Sequence, residues 1–147
     1  SQKRLLNIVD LKNRIDSIVF FKEKESFIEI QKVITRVCKL ANNSNLSKDV
    51  FEIGDLVTTN LFEKDCEFKV YEFISELEKI YSKGNCNYLK LLSLFEINIK
   101  TIENLFDNEK GVLVMTEDTK IRNNRLNFLS LIRNYSLKIA DFTLLNS

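Results

Sequence analysis

The stretch of residues 88–116, YLKLLSLFEINIKTIENLFDNEKGVLVMT, constrains the fold of this chain more than any other part of it. Its apolar residues first recur at helical spacing, pass a turn at Ile97, and then recur at helical spacing again. Asn98 is a residue type that often caps a helix N-terminus, so we expect a second helix to begin there. After Gly111, apolar side chains alternate over 112–116, which indicates a short strand.

Two helices joined by a tight turn and followed by a strand form the layout of a winged helix. The sequence therefore predicts a mainly α fold, a variant winged helix-turn-helix with extra N-terminal helices and a small β-hairpin. The polar turn at 117–120 is expected to form the wing tip, and residues 124–135 are expected to form a helix. The tail at 136–145 is expected to be the strand that pairs with 112–116. The alternative is one continuous helix to the C-terminus.

The remaining segments also predict helices, because the chain has no proline and only three glycines. Residues 1–25 carry an amphipathic stripe, and the helix at 26–41 opens with Ser26 and Glu29 at the spacing of a capping box. Further helices are expected at 49–61 and up to Gly84, which is placed to stop a helix. No linker-like tract divides residues 1–147. We therefore expect one domain, and the first residue, which is not methionine, suggests a C-terminal fragment of a larger protein.

The net charge of +1 conceals an uneven distribution of charged residues. Residues 1–48 carry ten Lys/Arg and five Asp/Glu, residues 49–110 carry seven and thirteen, and residues 111–147 carry five and three. The expected recognition helix lies in the acidic block and offers Lys100 alone. A helix that reads a nucleic-acid duplex normally presents Lys or Arg to the phosphates. This distribution argues against DNA readout by that helix.

The residue types needed for catalysis or metal binding are scarce in this chain. It has no histidine, and its three cysteines, at 38, 66 and 86, form no CxxC pair. It also has no GxSxG motif and no glycine-rich phosphate loop. The sequence therefore predicts no catalytic residues, no metal site and no cofactor, and a protein that is not an enzyme. The cysteines are expected to be free, buried thiols in a reducing compartment.

Two surfaces are candidates for binding. The apolar stripe of the N-terminal segment ends in a bulky patch, which either packs under the core or forms the contact of a homodimer. The self-association candidates are Ile15, Ile18, Val19, Phe20 and Phe21. Basic residues near the expected wing could contact nucleic acid weakly, or form an ordinary charged rim. The nucleic-acid candidates are Lys100, Lys120, Arg122 and Arg125. No apolar run is long enough for a membrane span, so no membrane partner is expected.

Several segments together resemble a known family. The helix-turn-helix LLSLFEINIKTIENLF, the hairpin-like GVLVMTEDTKIRNNRLNF and the helices SFIEIQKVITRVCKL and VFEIGDLV resemble the C-terminal winged helix of the origin-recognition and initiator ATPases. The branch of silent-information-regulator heterochromatin proteins is the best match. The resemblance covers about residues 26–128, and the acidic helix-turn-helix and the extra terminal helices depart from it.

The resemblance implies a self-association module of a nuclear chromatin-silencing factor. Such a module would form a homodimer, bind other chromatin proteins and have little or no DNA readout. Two other interpretations stay open. The first is a DNA-binding winged helix of a replication or transcription regulator. The second is an all-helical interaction or immunity protein without a wing.

Overall fold

A computed structural model describes residues 1–84 and 87–145, and this part of the chain is built from five α-helices and two short 3₁₀ turns. The helices are α1 (Gln2–Lys22), α2 (Ser26–Ala41), α3 (Asp65–Tyr81), α4 (Tyr88–Leu105) and α5 (Thr119–Ile139), and the 3₁₀ turns are Gly54–Leu56 and Thr59–Leu61. The prediction of a mainly α fold is confirmed. The described residues contain no strand, so the winged helix and its β-hairpin are wrong. None of the described helices is long and apolar enough to cross a membrane.

Helix α5 lies at the centre, where α2, α3 and α4 pack against it, and α4 also packs against α2 and α3. Aromatic side chains join the layers, as where Phe73 of α3 meets Phe95 of α4 edge to face with ring centroids 5.3 Å apart. Phe128 and Tyr135 of α5 are completely buried. Helix α1 packs mainly on α4, at the edge of this body.

The expected helix-turn-helix is a single helix. Helix α4 continues through residues 96–99, and the side-chain amide of Asn98 donates to the Leu94 carbonyl oxygen at 2.9 Å instead of capping a new helix. Ile97, which we expected to fill a turn, is 74% exposed on the outer side. The helix begins where Asn87 accepts a hydrogen bond from the Lys90 N–H at 3.1 Å, as the sequence suggested. No proline or glycine interrupts residues 88–105, so nothing ends the helix earlier.

The expected strand at 112–116 lies in the loop between α4 and α5. The Val112 N–H donates back to the Leu105 carbonyl oxygen at 2.9 Å, so the loop folds onto the end of its own helix. Asp118 then caps α5 by accepting from the Lys120 and Ile121 N–H groups, which puts the start of α5 at 119 rather than 124. Residues 136–139 continue α5, so the expected second strand is also wrong.

The expected helix at 49–61 is replaced by an irregular segment. Gly54 has a positive φ of 44°, and side chains of α5 bind the backbone of this segment in place of helical hydrogen bonds. Asn134 donates to the carbonyl oxygens of Ser47 (2.9 Å) and Val50 (2.7 Å), and Asn127 donates to that of Leu56 (2.8 Å). The tertiary contacts therefore outweigh the local periodicity on which the prediction rested.

The other helix predictions agree with the structure. Helix α2 spans 26–41 as expected, but Ser26 does not cap it, because its hydroxyl donates to the Glu96 carboxylate at 2.5 Å. Gly84, two residues beyond the C-cap Ser82 of α3, has a φ of 84°, in the left-handed region that favours glycine. The turn expected at 85–87 lies partly outside the described residues, which resume at 87.

Candidate functional site

A basic cleft surrounds the loop between α4 and α5, residues 106–118. Three adjoining cavities of about 490, 460 and 310 Å³ form it and share lining residues such as Arg36, Lys64 and Lys110. We call this surface the loop cleft. Its walls come from α2, from the first turns of α3 and from the C-terminal part of α4. The cleft therefore depends on the packing of three helices around one loop.

Basic side chains outnumber acidic ones on the walls of the loop cleft. The basic residues are Lys32, Arg36, Lys64, Lys69 and Lys110, and the acidic ones are Asp65, Glu103 and Asp107. Lys69 pairs with Asp65 at 3.3 Å, and Glu103 pairs with Lys100 at 3.1 Å. Within the described residues, the other four basic side chains form no ion pair, and all four are exposed. None of the four is neutralised by a carboxylate of the described residues, although Lys64 Nζ donates to the Glu109 carbonyl oxygen at 2.9 Å.

A cation–π pair and two exposed apolar side chains lie in the same cleft. The guanidinium carbon of Arg36 lies 4.4 Å from the centroid of the Phe106 ring, within cation–π distance. Leu113 and Met115 project from the neighbouring loop and are 71% and 44% exposed. Nucleic-acid bases stack on aromatic rings and on guanidinium planes. The cleft thus combines cations for phosphates with surfaces for bases.

Buried polar groups fix the position of the loop. Arg125 of α5 donates to the Leu113 carbonyl oxygen at 2.8 Å and to the carboxylates of Glu63 at 2.7 Å and Glu67 at 3.4 Å. Glu67 is completely buried and also accepts from the backbone N–H groups of Glu63 and Lys64. One network therefore ties the loop, α5 and the start of α3 together.

Gly111 makes the tight turn at the base of the loop possible. A Cβ atom at this position would lie 2.4 Å from the carbonyl oxygens of both Leu105 and Asp107. Both neighbours are backbone atoms, one in the last residue of α4 and one in the loop, so a Cβ here would force the backbone to shift. Glycine is the residue that permits this close approach.

The described cysteines are not activated for chemistry. Burial raises the pKa of the Cys66 thiol at the edge of the cleft, and burial likewise raises the pKa of Cys38. A raised pKa keeps a thiol protonated and therefore a poor nucleophile. Both cysteines are free, and Cys86 lies outside the described residues. In the segments 1–84 and 87–145, no cluster of His, Cys, Asp or Glu could hold a metal ion.

The structure separates the nucleic-acid candidates from one another. Lys100 is bound to Glu103, which raises its pKa, and it lines none of the three cavities. Lys120 is exposed in the first turn of α5. Arg122 and Arg125 both turn toward the loop backbone, where Arg122 donates to the Thr116 carbonyl oxygen at 3.1 Å. Arg125 is 3% exposed and occupied by two carboxylates, so it is a loop anchor and cannot face a ligand.

The self-association candidates also divide into two groups. Phe21 is 1% exposed and belongs to the core, and Ile18 packs partly buried against that core. Ile15, Val19 and Phe20 are 48%, 56% and 58% exposed on the outer side of α1. Only these last three remain available for an intermolecular contact.

Sequence reasoning missed the basic residues of the loop cleft. Lys32 and Arg36 come from α2, whereas Lys64, Phe106 and Lys110 come from segments far along the chain. The positive balance of residues 1–48 was the one signal that pointed to part of this set. Nothing in the sequence showed which of its ten basic residues would meet the loop.

No family model matches the chain, but it is similar to bacterial proteins named glycine–tRNA ligase beta subunit. It is 30% identical over 144 residues to the one from Picosynechococcus sp., a match that covers 97% of this chain and 20% of that protein. It is 28% identical over 144 residues to the one from Gloeothece citriformis, with the same coverages. It is 33% identical over 140 residues to the one from Dictyoglomus thermophilum, covering 92% of this chain and 19% of that protein. The chain spans about a fifth of the length of these relatives.

These similarities overturn the expectations that came from the resemblance. Nearly the whole chain matches ligase subunits, so the assignment to the origin-recognition and initiator ATPases is wrong, and so is the chromatin-silencing function. The DNA-binding regulator and the immunity protein do not fit either. A nuclear location is contradicted because the relatives are bacterial, and chromatin partners have no support. The expectation that the protein is not an enzyme is also contradicted, since the relatives are named as a subunit of a ligase.

Proposed function

We propose that this chain is a tRNA-contacting part of a glycine–tRNA ligase beta subunit. The observation that carries the proposal is the similarity of 97% of the chain to about a fifth of proteins with that name. Those relatives are ligases named for tRNA, so an RNA-binding surface is one feature that a segment of them can supply. The loop cleft is the surface in the described part of this chain that has the chemistry for it.

The chemistry of the loop cleft suits single-stranded or looped RNA. Lys32, Arg36, Lys64 and Lys110 offer four unpaired cations, which can replace counterions along a phosphate backbone. The Arg36–Phe106 pair offers a face on which an unstacked base can lie. The Arg125 network holds the loop in place before the ligand arrives, which lowers the ordering cost of binding.

The organisation of the parent protein forms part of the same proposal. Residues 1–147 are one domain of a longer subunit, and the relatives' name implies a ligase with more than one kind of subunit. We take glycine and tRNA, the two compounds in that name, as the substrates of the whole enzyme of which this chain is a part. The homodimer that the sequence predicted is not part of this proposal and stays an untested prediction, for which Ile15, Val19 and Phe20 are the exposed candidates.

Charge reversal in the loop cleft tests the proposal in the intact ligase. We expect Lys32→Glu and Lys110→Glu each to raise KM for tRNA about tenfold, which corresponds to about 1.4 kcal/mol. KM for glycine should not change, because the cleft is proposed to contact only the RNA. Lys83→Glu is the matched control, since Lys83 is exposed after the end of α3 and lines none of the three cavities.

The salt dependence of tRNA binding gives a second measurement. Loss of one phosphate contact should reduce the slope of log K against log salt concentration by about 1 in each cleft variant. Phe106→Leu should weaken binding with the slope unchanged, because stacking releases no counterion. If the cleft variants and the Lys83→Glu control gave the same KM and the same slope, the loop cleft would not be the RNA surface.

A further inference from the structure

Helix α1 exposes an unusual amount of apolar surface. One row of its outer side carries Ile8, Leu11, Ile15 and Val19, and a second row carries Leu6, Val9 and Phe20. Each of these side chains is between 45% and 67% exposed. The Lys12–Asp16 ion pair, with 2.9 Å between Nζ and Oδ2, lies between the two rows. Exposed apolar residues therefore lie on two flanks of α1, among polar residues such as Arg4 and Asn13, and contiguous exposed apolar surface marks an interaction site.

The rest of the described chain covers only the opposite side of α1. Phe21 enters the core near the helix C-terminus, and Asp10 accepts a hydrogen bond from the Tyr88 hydroxyl at 2.8 Å. Residues 1–13 are all exposed, and within the first three turns of the helix Asp10 holds this hydrogen bond to α4. A helix of 21 residues is about 31 Å long, so the outer side of α1 is an extended surface.

We infer that both outer rows of α1 are covered by the part of the same beta-subunit polypeptide that lies outside these 147 residues. This inference rests on the proposed function, because it needs the parent subunit. The relatives are about five times as long as the match, so such a polypeptide has ample size to enclose a helix from two sides. The covering surface is apolar, with polar groups placed opposite Lys12 and Asp16.

A second copy of the chain is a poorer fit to this geometry. Two α1 helices packed against each other would bury one row and leave the other row in water. The two rows lie on separate flanks with an ion pair between them, so complete coverage needs contacts from two directions. A segment that continues the same polypeptide can provide both without a loss of translational entropy.

Hydrogen exchange tests whether α1 is covered in the full-length subunit and uncovered in the 147-residue chain. Amide exchange is measured by mass spectrometry on the 147-residue chain and on the full-length beta subunit that contains it. We expect peptides from residues 2–16 to exchange at least tenfold more slowly in the full-length subunit. Peptides from α2 are the internal control, since this helix is buried within the body and should exchange equally in both.

Substitutions on α1 of the full-length subunit locate the contact. Ile8→Glu and Val9→Glu, one in each row, should each remove the added protection of residues 2–16. Ile97→Glu is the matched control, because Ile97 is 74% exposed on the outer side of α4 and belongs to neither row. If only one of the two variants lost the added protection, a single surface would cover α1, which contradicts the inference.

Two further results would overturn the inference. Equal exchange of residues 2–16 in both forms would show that the rest of the subunit leaves α1 uncovered. Protection that appears in the 147-residue chain as its concentration rises, with a doubled mass in sedimentation, would identify a second copy as the occupant. The tRNA measurements on the loop cleft are independent of α1. If the loop cleft did not bind RNA, the added protection of α1 could still be observed. If α1 stayed unprotected, the effects of the cleft variants on tRNA binding could still be observed. The two failures are therefore distinguishable.

Discussion

Helices α1 and α5 have the same length of 21 residues and opposite environments. Helix α5 buries thirteen of its residues, among them Asn124, Arg125, Arg133 and Asn134, whereas α1 buries only Ser17 and Phe21. Helix α5, which buries several polar residues, is thus the centre of the fold. Helix α1, which exposes many apolar residues, lies at its edge. Burial in this protein follows from where partners are available, and not from how apolar a helix is.

The polar residues of α5 are tolerated in the core because each one has a partner. In the described residues no buried side-chain nitrogen or oxygen lacks a hydrogen bond. Arg133 donates to the Leu46 carbonyl oxygen at 3.0 Å and to the Asn134 side chain, and burial lowers its pKa. Asn124 both accepts from and donates to the backbone of Thr58. These side chains satisfy the backbone of the irregular segment 42–64, which has little secondary structure of its own.

The largest loss of stability is expected when one buried charge of α5 is removed. Arg125→Met leaves the completely buried Glu67 carboxylate without its guanidinium partner. We expect the free energy of unfolding to fall by about 3–5 kcal/mol, the usual cost when one member of a buried ion pair is lost. Urea denaturation followed by circular dichroism measures it. Lys120→Met, in the exposed first turn of the same helix, is the control and should change it by less than about 0.5 kcal/mol.

A second substitution separates the charge from the packing at this site. Arg125→Met combined with Glu67→Gln removes both charges and keeps an oxygen for the N–H groups of Glu63 and Lys64. The double variant should regain more than half of the lost stability. A double variant as unstable as Arg125→Met alone would mean that the lost contact with the Leu113 carbonyl oxygen, and not the stranded charge, decides the effect.

The hydroxyl of Tyr135 gives an intermediate, pH-dependent effect. It donates to the Phe51 carbonyl oxygen, and burial raises the pKa of Tyr135 above its usual value. In the unfolded chain a tyrosine loses its proton near pH 10, while the folded protein retains it. The unfolded state then binds fewer protons, so the free energy of unfolding falls as pH rises above about 10, by up to about 1.4 kcal/mol per pH unit.

Tyr135→Phe should remove this additional slope. At pH 7 we expect it to cost about 1 kcal/mol, the net value of one hydrogen bond, and this difference should shrink between pH 10 and 11. Urea denaturation at pH 7, 10 and 11 measures both effects. Tyr71→Phe, which leaves Tyr135 in place, should keep the slope of the parent chain. A constant difference between the parent and Tyr135→Phe at all three pH values would contradict the prediction.

The smallest effect is expected on α1. In the 147-residue chain, Ile8→Gln should change the free energy of unfolding by less than about 0.5 kcal/mol, because Ile8 is 57% exposed. The same substitution at Ile132, which is completely buried on α5, should cost about 3 kcal/mol or more. Equal losses at both positions would show that α1 is packed as tightly as α5 and would remove the contrast between them.

Sequence patterns located the helices well where packing follows local periodicity. The bounds of α2 and the cap at Asn87 could be predicted because both depend on residues a few positions apart. The patterns failed at Asn98, at 112–116 and at 49–61, where distant side chains decide the backbone conformation. The same limit applies to the candidate site residues. Arg125 looked like a surface cation until Glu63 and Glu67, about sixty residues away, were found beside it.

The sequence by itself determined that the chain is mainly helical, because long apolar periodicities without proline leave few other ways to satisfy the backbone. It also determined the uneven charge between the N-terminal and middle parts. Only the tertiary structure decided which basic residues meet the loop at 106–118, and which helix is enclosed by the others. Those outcomes depend on contacts between residues far apart in the chain, and the local periodicity of a sequence carries no record of such contacts.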